Sequence, residues 1–466
     1  MATLTRRWQR AGLMRAWRAS RPVHPDTQAA LERRWAELPV GVRTDAQLLG
    51  RRSVGCEGTH GVFPRCNLAC TPCYHAKEAQ RVRTDGDHTL TQVEAQMTFL
   101  RGIRGTGQHA QLIGGEVSLL DADVHARTLQ VMLRHGRKPM SMTHGDFDET
   151  YLRHLALDAA GRPRFDVLRM AGHFDSLMLG RRGVPRPRAE RDLDAPRRKF
   201  VEMFERLQAE HGVRFDLAHN MTVTPANLAE VAEVTRTVMG LRYGMASFQP
   251  AAHVGNPKRW REDYRGVGID EVWAQIEAGA GTRLPWAHLQ MGDARCNRSA
   301  YGVIAGGRWF ALLDDHDPRD LRARDRFLAA FGGMDFERPR LALALALLRV
   351  AAHRPVVVPQ AASWALRFAR RVGMRRLLTG SPRGLTFVVH AFMDASVVRP
   401  AWEAMERGEV AADPEVRAAQ ERLQACSYAM AHPEQGRTVP ACVQHSILDP
   451  AENLDLLELL PMHPGP

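Results

Sequence analysis

Apolar residues in the middle of the chain alternate between two spacings, one typical of helices and one typical of short buried strands. In residues 89–103, Leu90, Val93, Met97 and Leu100 share one helical face. A short apolar run at 110–115 follows directly. Strand and helix patterns then repeat at intervals of roughly 35 residues up to about residue 250. This alternation predicts a series of β/α units.

Six such units are expected, because six short apolar runs are each separated from the next by a helical pattern. Parallel strands need a crossover connection, and a helix supplies it. The fold class is therefore α/β, a partial (β/α)6 TIM-like barrel, with chemistry expected at the carboxyl ends of the strands. The predicted strands lie at 61–65, 110–115, 139–144, 165–174, 214–223 and 244–251.

The pattern changes on both sides of this series, which predicts three domains. Residues 1–54 form a basic N-terminal helical segment, 55–290 the core domain, and 291–466 a mixed, mainly helical C-terminal extension. In the extension, Gly306 and Gly307 predict a hairpin turn. The Leu/Ala-rich stretch at 341–371 is expected to be helical and to pack against the barrel, since two prolines and several arginines interrupt it.

Composition is that of an ordinary globular enzyme, with 44% apolar and 25% charged residues. No run of 18 or more apolar residues occurs, so we expect no transmembrane helix. The net charge of +12 indicates an anionic partner, which could be nucleic acid, a membrane surface or an acidic substrate. Residues 1–22 contain six arginines and no acid, so they are either an arm on a membrane surface or a helix packed on the body.

The chain has seven cysteines, and three of them, Cys66, Cys70 and Cys73, lie within eight residues. An odd count in a chain without a secretory signal argues against a disulfide framework. A zinc site would want a fourth ligand, for which His75 is close in sequence. Thiol exchange through Cys70 and Cys73 would leave Cys66 without a role. Three buried structural cysteines are the remaining alternative.

An iron–sulfur cluster fits three cysteines better. A [4Fe-4S] cluster that only carries electrons takes four thiolates. Three thiolates leave one iron open, and an open metal position can bind a cofactor or substrate. The missing fourth cysteine thus points to catalysis.

This arrangement resembles the radical SAM superfamily, whose Cys-x3-Cys-x2-Cys motif is met by Cys66, Cys70 and Cys73. The resemblance extends to Gly114, Gly115 and Glu116, which follow the second predicted strand. It implies a [4Fe-4S] cluster whose open iron binds S-adenosylmethionine (SAM), with Gly114 to Glu116 contacting the amino group of SAM. It also implies an electron donor such as flavodoxin or ferredoxin. The aromatic residue that the family places before the third cysteine is absent here, because Pro72 occupies that position.

Further cofactor contacts are expected at other strand ends and beside the motif. Tyr74, which follows Cys73, is a candidate for packing on adenine. His173 and Asp175 lie two residues apart, on the same side of an extended segment. Asn220 and Gln249 are similar candidates on later strands.

The other four cysteines equal the number of ligands of an auxiliary [4Fe-4S] cluster. Residues 426–442 resemble the cysteine pairs of SPASM and twitch extensions. We therefore expect Cys296, Cys426, Cys442 and Cys56 as the ligands of a second cluster, with His445 as a spare. The alternative is that each is a small buried apolar residue.

The resemblance implies an enzyme that reductively cleaves SAM to a 5'-deoxyadenosyl radical and abstracts hydrogen from a substrate. A small-molecule or lipid substrate and a peripheral membrane contact would suit the Leu/Ala-rich stretch and the basic surface, and a loose similarity to the tetraether-lipid-synthase branch agrees. Alternatives are a peptide-modifying maturase or a non-catalytic metal-cluster protein that binds nucleic acid, although no firm nucleic-acid partner is indicated. A cytoplasmic, membrane-surface location is expected.

Overall fold

The computed structural model describes residues 21–75 and 77–462. The predicted arm at 1–22 therefore lies almost wholly outside the described residues. The remainder of the predicted N-terminal segment contains the helix that its pattern indicated, at Pro25–Glu37.

The described residues form thirteen strands. Eleven belong to one sheet, and the remaining two, at 69–70 and 178–179, pair with each other. The strands are β1 (Cys56–Gly58), β2 (Ala69–Cys70), β3 (Gln108–Leu112), β4 (Arg137–Thr143), β5 (Leu168–His173), β6 (Met178–Leu179), β7 (Phe215–Val223), β8 (Met245–Pro250), β9 (Asn297–Ala305), β10 (Arg308–Ala311), β11 (Arg383–His390), β12 (Tyr428–His432) and β13 (Arg437–Pro440).

Fifteen α-helices accompany these strands in the described part of the chain. A π-helical turn, Gln444–Leu448, joins the last two of them into one helical segment. The helices are α1 (Pro25–Glu37), α2 (Gly86–Arg104), α3 (Ala122–Arg134), α4 (Glu149–Ala156), α5 (Asp194–His211), α6 (Val231–Gly240), α7 (Ile269–Ala280), α8 (Pro318–Phe331), α9 (Arg340–His353), α10 (Val357–Val372), α11 (Met374–Thr379), α12 (Ala395–Glu406), α13 (Pro414–Gln424), α14 (Ala441–Val443) and α15 (Asp449–Leu459).

Six strands at the centre of the sheet are parallel and follow one another in the order β1, β3, β4, β5, β7, β8. Helices α2 to α6 provide the five crossovers between them. The prediction of the first strand at 61–65 is wrong, because the strand that pairs with β3 is Cys56–Gly58. Residues 61–65 instead lead from the end of β1 into the cysteine loop, where Phe63 and Arg65 bond to the backbone after β3.

The C-terminal region extends this sheet at both edges. Strand β11 pairs in parallel with β8, and the hairpin of β9 and β10 continues that edge. Strand β12 pairs in parallel with β1, and β13 follows it. The α/β class with a large parallel sheet is thus confirmed, as is the hairpin turn, where Gly306 and Gly307 have φ of +58° and +73°. Closure into a partial barrel and the three domain boundaries stay predictions.

The main core lies between the sheet and its helices. In β5 every residue except the last is buried, as expected of a parallel strand covered on both faces. Two buried ion pairs interrupt this apolar interior. Arg137 donates to both carboxylate oxygens of Glu57 at 2.9 and 3.0 Å, and Arg197 donates to Glu190 at 2.6 Å. All four side chains are fully buried, so each charge depends on its partner.

The Leu/Ala-rich stretch is helical, as predicted, but its packing differs from the prediction. Helix α9 buries only Ala346 and Val350, and α10 buries only Val372. Much of the apolar surface of both helices therefore faces outward rather than the sheet. Within the described residues no single helix has the length and apolar character to cross a membrane; α9 and α10 pass that test only as a pair, bent by 111°.

Candidate cofactor site at the cysteine loop

The loop that carries Cys66, Cys70 and Cys73 is held over the end of β5. Within it, β2 pairs antiparallel with β6, which places Cys70 opposite Met178. The Thr71 N–H donates to the Leu177 carbonyl at 3.2 Å. None of the three cysteines forms a disulfide within the described residues, and all three are half-buried. One short segment thus presents three sulfurs at the edge of the sheet where strand ends converge.

Gly114 and Gly115 form the base on which the loop rests. The Glu116 N–H donates to the Arg65 carbonyl at 2.8 Å. A Cβ on Gly115 would lie 2.0 Å from the Arg65 carbonyl oxygen, and a Cβ on Gly114 would lie 2.0 Å from the Phe63 ring. Glycine is therefore required here by the close approach of two backbone segments. Contact with a cofactor, the role expected from sequence, stays a prediction.

Glu116 ties the ends of β3 and β4 together. Its carboxylate accepts from the Thr143 hydroxyl at 2.6 Å, from the His144 N–H at 2.8 Å and from the Ser118 N–H at 3.0 Å. The side chain is 1% exposed. Because its oxygens already have these partners, Glu116 positions the strand ends in this structure, and its predicted bond to the amino group of SAM stays untested.

His144 connects this network to the cysteine loop. Its Nδ1 accepts from the Asp146 N–H at 2.9 Å, so the proton lies on Nε2, which donates to the Asn67 Oδ1 at 2.8 Å. Burial lowers the pKa of His144, which favours this neutral form. Asn67 directly follows Cys66, so a strand-end histidine orients the backbone between the first two cysteines. Sequence reasoning missed this residue, although its place at the end of a predicted strand was a signal.

Arg181 supplies a buried cation beside the loop. Its guanidinium donates to the carbonyls of His144 and His173 at 2.7 and 3.1 Å and lies 4.7 Å from the centre of the Phe174 ring. Burial lowers the pKa of Arg181, and neighbouring acidic groups, the Cys70 thiol among them, act in the opposite direction. A positive charge near Cys70 would stabilise a thiolate there. In the sequence this arginine is one of many in a basic loop, so nothing distinguished it.

The thiols interact with one another electrostatically. The pKa of Cys66 is raised to about 12, mainly by burial and also by Glu116 and Cys73, while a hydrogen bond from the Leu68 N–H at 3.4 Å opposes this. The free thiol of Cys66 is therefore protonated at neutral pH. Binding a cation would replace that proton, as thiol-bound metals do.

The residues that the sequence predicted as further cofactor contacts lie in two places, one beside the cysteine motif and one at the end of β5. Tyr74 packs between the rings of His75 and His445, with centroids 4.3 and 4.4 Å away. His173 and Asp175 form a direct hydrogen bond of 2.6 Å, and Asp175 also accepts from the Thr222 N–H at 3.1 Å. The structure thus confirms that His173 and Asp175 share a side, and their role toward a cofactor stays a prediction.

Asn220 lies beside His173 in the register of β5 and β7, and it is buried. Gln249 donates to the Ser247 hydroxyl at 3.4 Å on β8. Both therefore lie on the central strands near their carboxyl ends, as expected for candidates of this kind.

A small cavity of about 20 Å³ lies beside the loop, between the end of β1 and the C-terminal helical segment. Its walls include Tyr74, Gly114, His445 and Asp449. This volume holds about one water molecule. A groove of about 730 Å³ on the outer surface of α2 and α3 is larger, but none of the predicted site residues lines it.

Three of the other four cysteines converge, although they are distant in sequence. Cys296 precedes β9, Cys426 precedes β12 and Cys442 lies in α14. Burial raises the pKa of Cys442, and the neighbouring thiols Cys426 and Cys296 raise it further. Arg422 Nε donates to the Cys296 sulfur at 3.0 Å. These three thiols form a second group, with a cation beside it as in the first.

Cys56 lies beside Cys426 in the sheet, because its N–H donates to the Ser427 carbonyl at 2.7 Å and it stands opposite Tyr428 in the register of β1 and β12. Burial raises its pKa to about 11, and the charges that act on it are those of Glu57 and Arg104, with no cysteine among them in the described chain. His445, the spare ligand, is paired with Asp449 at 2.6 Å. The expectation that Cys56 completes the second group stays a prediction.

A histidine and carboxylate cluster near the same edge was not anticipated. His60, His432 and Glu452 are the one group in the described chain whose ligand atoms all lie within 4.8 Å, as one metal ion would require. His60 bonds to Glu452 at 3.0 Å through Nδ1 and to the Ala431 carbonyl at 2.6 Å through Nε2. Its ring stacks on that of His432 at 4.1 Å. Because the two imidazole rings are stacked, the lone pairs of their nitrogens point side by side rather than toward one metal ion. We therefore describe the cluster as a hydrogen-bonded junction.

Comparisons with known proteins find similarity among solved structures. No family model matches the chain. No curated protein matches it either. The solved structures that are similar over about half of it include two of anSMEcpe. Native anSMEcpe with bound AdoMet and Cp18Cys peptide is 11% identical with a TM-score of 0.31, over 48% of this chain and 58% of that one. A histidine-tagged form of anSMEcpe with bound AdoMet is 12% identical with a TM-score of 0.30, over 47% and 55%. These values are low, so the following proposal rests on the residues of this chain.

Proposed function

We propose that this chain is a radical SAM enzyme. Cys66, Cys70 and Cys73 would hold a [4Fe-4S] cluster and leave one iron open for the amino and carboxylate groups of SAM. The observation that carries the proposal is the donor set itself, three half-buried cysteines outside any disulfide, at Cys-x3-Cys-x2-Cys spacing on one loop at the strand ends. A closed structural site would need a fourth ligand, whereas an open one needs three.

The neighbouring residues suit such a group because they position the loop and neutralise charge. Gly114 and Gly115 set its distance from β3, and His144 orients Asn67. Arg181 places a cation near Cys70, which would offset the negative charge of three thiolates. When bound, the cluster and SAM together supply one-electron chemistry that removes hydrogen from a substrate. The chain's own contribution is to bind, orient and exclude water.

A second [4Fe-4S] cluster at Cys296, Cys426 and Cys442 is proposed on similar grounds, and by the same count of thiolates it would also leave one iron without a cysteine ligand. These thiols are close enough to influence one another's ionisation, and Arg422 bonds to one of them. Buried cysteines that served only as apolar side chains would have no reason to converge from three separate elements. An external one-electron donor of the flavodoxin or ferredoxin type would reduce the enzyme.

An apolar or lipid-like substrate is the class that we favour. Helices α9 to α11 present leucine and valine side chains to solvent, as an enzyme that meets its substrate at an apolar surface would. Modification of a peptide is the alternative, and product analysis would separate the two.

The test is SAM cleavage by the full-length protein, reconstituted anaerobically with iron and sulfide and reduced with dithionite. We expect 5'-deoxyadenosine from the wild type and none from Cys73→Ala, with Cys56→Ala as the matched cysteine control that keeps the activity. If the iron-loaded wild type forms no 5'-deoxyadenosine, or if Cys73→Ala forms as much, the proposal fails. Retained iron without cleavage would instead favour a non-catalytic cluster protein.

A further inference from the structure

The segment from Arg338 to Met393 has an unusual charge composition. It contains no aspartate, glutamate or lysine, whereas the whole chain has 52 acidic residues in 466. All of its ionised side chains at neutral pH are therefore arginines, apart from any charged histidine. These arginines are Arg338, Arg340, Arg349, Arg354, Arg367, Arg370, Arg371, Arg375, Arg376 and Arg383.

The same segment carries an unusual share of exposed apolar side chains. Of the fifteen large hydrophobic residues that the described chain exposes, eight lie between residues 341 and 378. Single exposed leucines are normal on protein surfaces, but a concentration of this kind marks a surface that binds something. The eight, with their exposed fractions, are Leu341 71%, Leu347 39%, Leu348 65%, Val356 60%, Val358 55%, Leu366 53%, Met374 59% and Leu378 76%.

Helical spacing places these side chains on outward faces. Leu341 and Leu348 are seven residues apart on α9, and exposed Ala344 lies between them on the same face. On α10, Val358 and Leu366 are eight residues apart, again on one face. A surface helix normally turns its apolar face toward the protein core. In α9 and α10 the apolar face points toward solvent instead. We call α9, α10 and α11 together the cationic hairpin.

The inner side of the cationic hairpin is anchored to the body. Arg367 and Arg371 both pair with the buried carboxylate of Asp320 in α8. The Trp364 indole donates to the Leu312 carbonyl at 3.1 Å. These contacts hold α10 in place with its apolar outer face directed away from the protein. The exposed face is thus a built feature of the fold.

Five other arginines of the cationic hairpin and its connections are exposed, and none of them forms an ion pair within the described residues. They are Arg340, Arg354, Arg370, Arg375 and Arg376. Their charge is therefore available to an external anion. A nucleic acid would match the arginines but leave the leucines and valines in water. A neutral protein surface would match the apolar side chains but not the arginines.

We propose that the cationic hairpin docks on an anionic lipid bilayer. Its leucine and valine side chains would enter the boundary between headgroups and acyl chains, while the arginines contact lipid phosphates and carboxylates. Long arginine side chains can lie along an apolar surface and keep their charged ends at the headgroups. The bend of 111° between α9 and α10 suits a hairpin that lies in the interface. This docking does not depend on the proposed SAM chemistry.

The test is co-sedimentation of the full-length, reconstituted protein with vesicles of phosphatidylcholine alone or of phosphatidylcholine mixed with phosphatidylserine. We expect binding to the mixed vesicles, weaker binding to the neutral ones, and a decrease on adding salt. Leu348→Ser with Leu366→Ser should reduce binding by at least about tenfold, because each leucine contributes several buried carbons. Arg370→Gln with Arg375→Gln should reduce binding to the mixed, anionic vesicles by about fivefold per arginine. The same double variant should leave binding to the neutral vesicles unchanged.

The matched control is Val410→Ser, which alters a side chain that is 78% exposed outside the cationic hairpin. It should bind vesicles as the wild type does. Equal binding to neutral and anionic vesicles, or binding unchanged in both double variants, would overturn the proposal. If the leucine variant instead shifts the sedimentation coefficient of the free protein while vesicle binding is unchanged, the face is an interface between copies of the chain, and the proposal also fails. Since binding is measured without SAM, its failure is distinct from loss of SAM cleavage.

Discussion

The two groups of cysteines are built in opposite ways. Cys66, Cys70 and Cys73 come from one loop of eight residues, whereas Cys296, Cys426 and Cys442 come from three elements spread over about a third of the chain. Each group has an arginine beside it, Arg181 in the first and Arg422 in the second. The local group can form as soon as its loop folds. The distant group exists only once the C-terminal strands have joined the sheet.

The sheet explains how the distant group assembles. Strand β11 adds to β8, and Cys296 lies at the end of that edge, where its carbonyl accepts from the Ala391 N–H at 2.8 Å. Strand β12 adds to β1 at the opposite edge, with Cys426 just before it. The two edges of the sheet must therefore approach each other where these thiols meet. That approach is what a curved, partly closed sheet would provide.

The largest expected effect separates the two groups by activity. Changing Cys66, Cys70 and Cys73 together to alanine should reduce 5'-deoxyadenosine formation to background, because the position that binds SAM is lost. Iron in this triple variant should fall but not vanish, since the second group keeps its ligands. Iron analysis with electron paramagnetic resonance of the reduced protein would measure this. A triple variant without any iron would show that the second group holds no cluster.

A complementary change removes the second group. Cys426→Ala with Cys442→Ala should lose the iron that the triple variant retains, while the first cluster stays. Cys56→Ala should change neither, because no other cysteine is among the charges that act on its thiol. If Cys56→Ala loses as much iron as the double variant, the sequence-based assignment of Cys56 is correct and our structural interpretation is wrong.

The contrast between a local and a distant group of cysteines also explains which features could be predicted from the sequence. Spacing alone identified Cys66, Cys70 and Cys73, because their relation is contained in eight consecutive residues. The alternation of apolar periods gave the β/α series but misplaced the first strand, since the short β1 has only three residues and no clear periodicity. Nothing in the sequence distinguished Arg181, because its importance comes from burial beside the loop, and His144 was missed although it ends a predicted strand. The outward face of α9 and α10 was missed because an apolar pattern indicates burial in most soluble helices.

A smaller effect concerns the base of the first group. Gly115→Ala should destabilise the protein by about 3 kcal/mol, because its Cβ would collide with a backbone carbonyl that cannot rotate away. The nearest atom, the Arg65 oxygen, would lie only 2.0 Å from that Cβ. Urea denaturation of the protein without added iron measures this directly. Gly240→Ala, where the same addition meets nothing within 4 Å, is the control and should change stability by less than about 1 kcal/mol. Equal stability of the two variants would mean that the loop does not rest on Gly115.

The smallest expected effect concerns the junction that links the two groups, where His60 after β1 meets Glu452 in the C-terminal segment that carries Cys442. Burial alone would lower the pKa of His60, but the hydrogen bond to Glu452 and its negative charge, with the Ala431 carbonyl, raise it overall. A group with a raised pKa in the folded state stabilises the fold fully below its unfolded pKa, near 6.5 for histidine, and loses that contribution as pH rises through the folded value. The stability advantage of the wild type over His60→Gln should therefore be greatest in mild acid and shrink in mild alkali, as urea denaturation at several pH values would measure. Glu452→Gln should remove the same pH dependence. An advantage that instead grows with pH would mean that His60 is neutral in the fold, and that the C-terminal segment is joined to the loop region by packing rather than by charge.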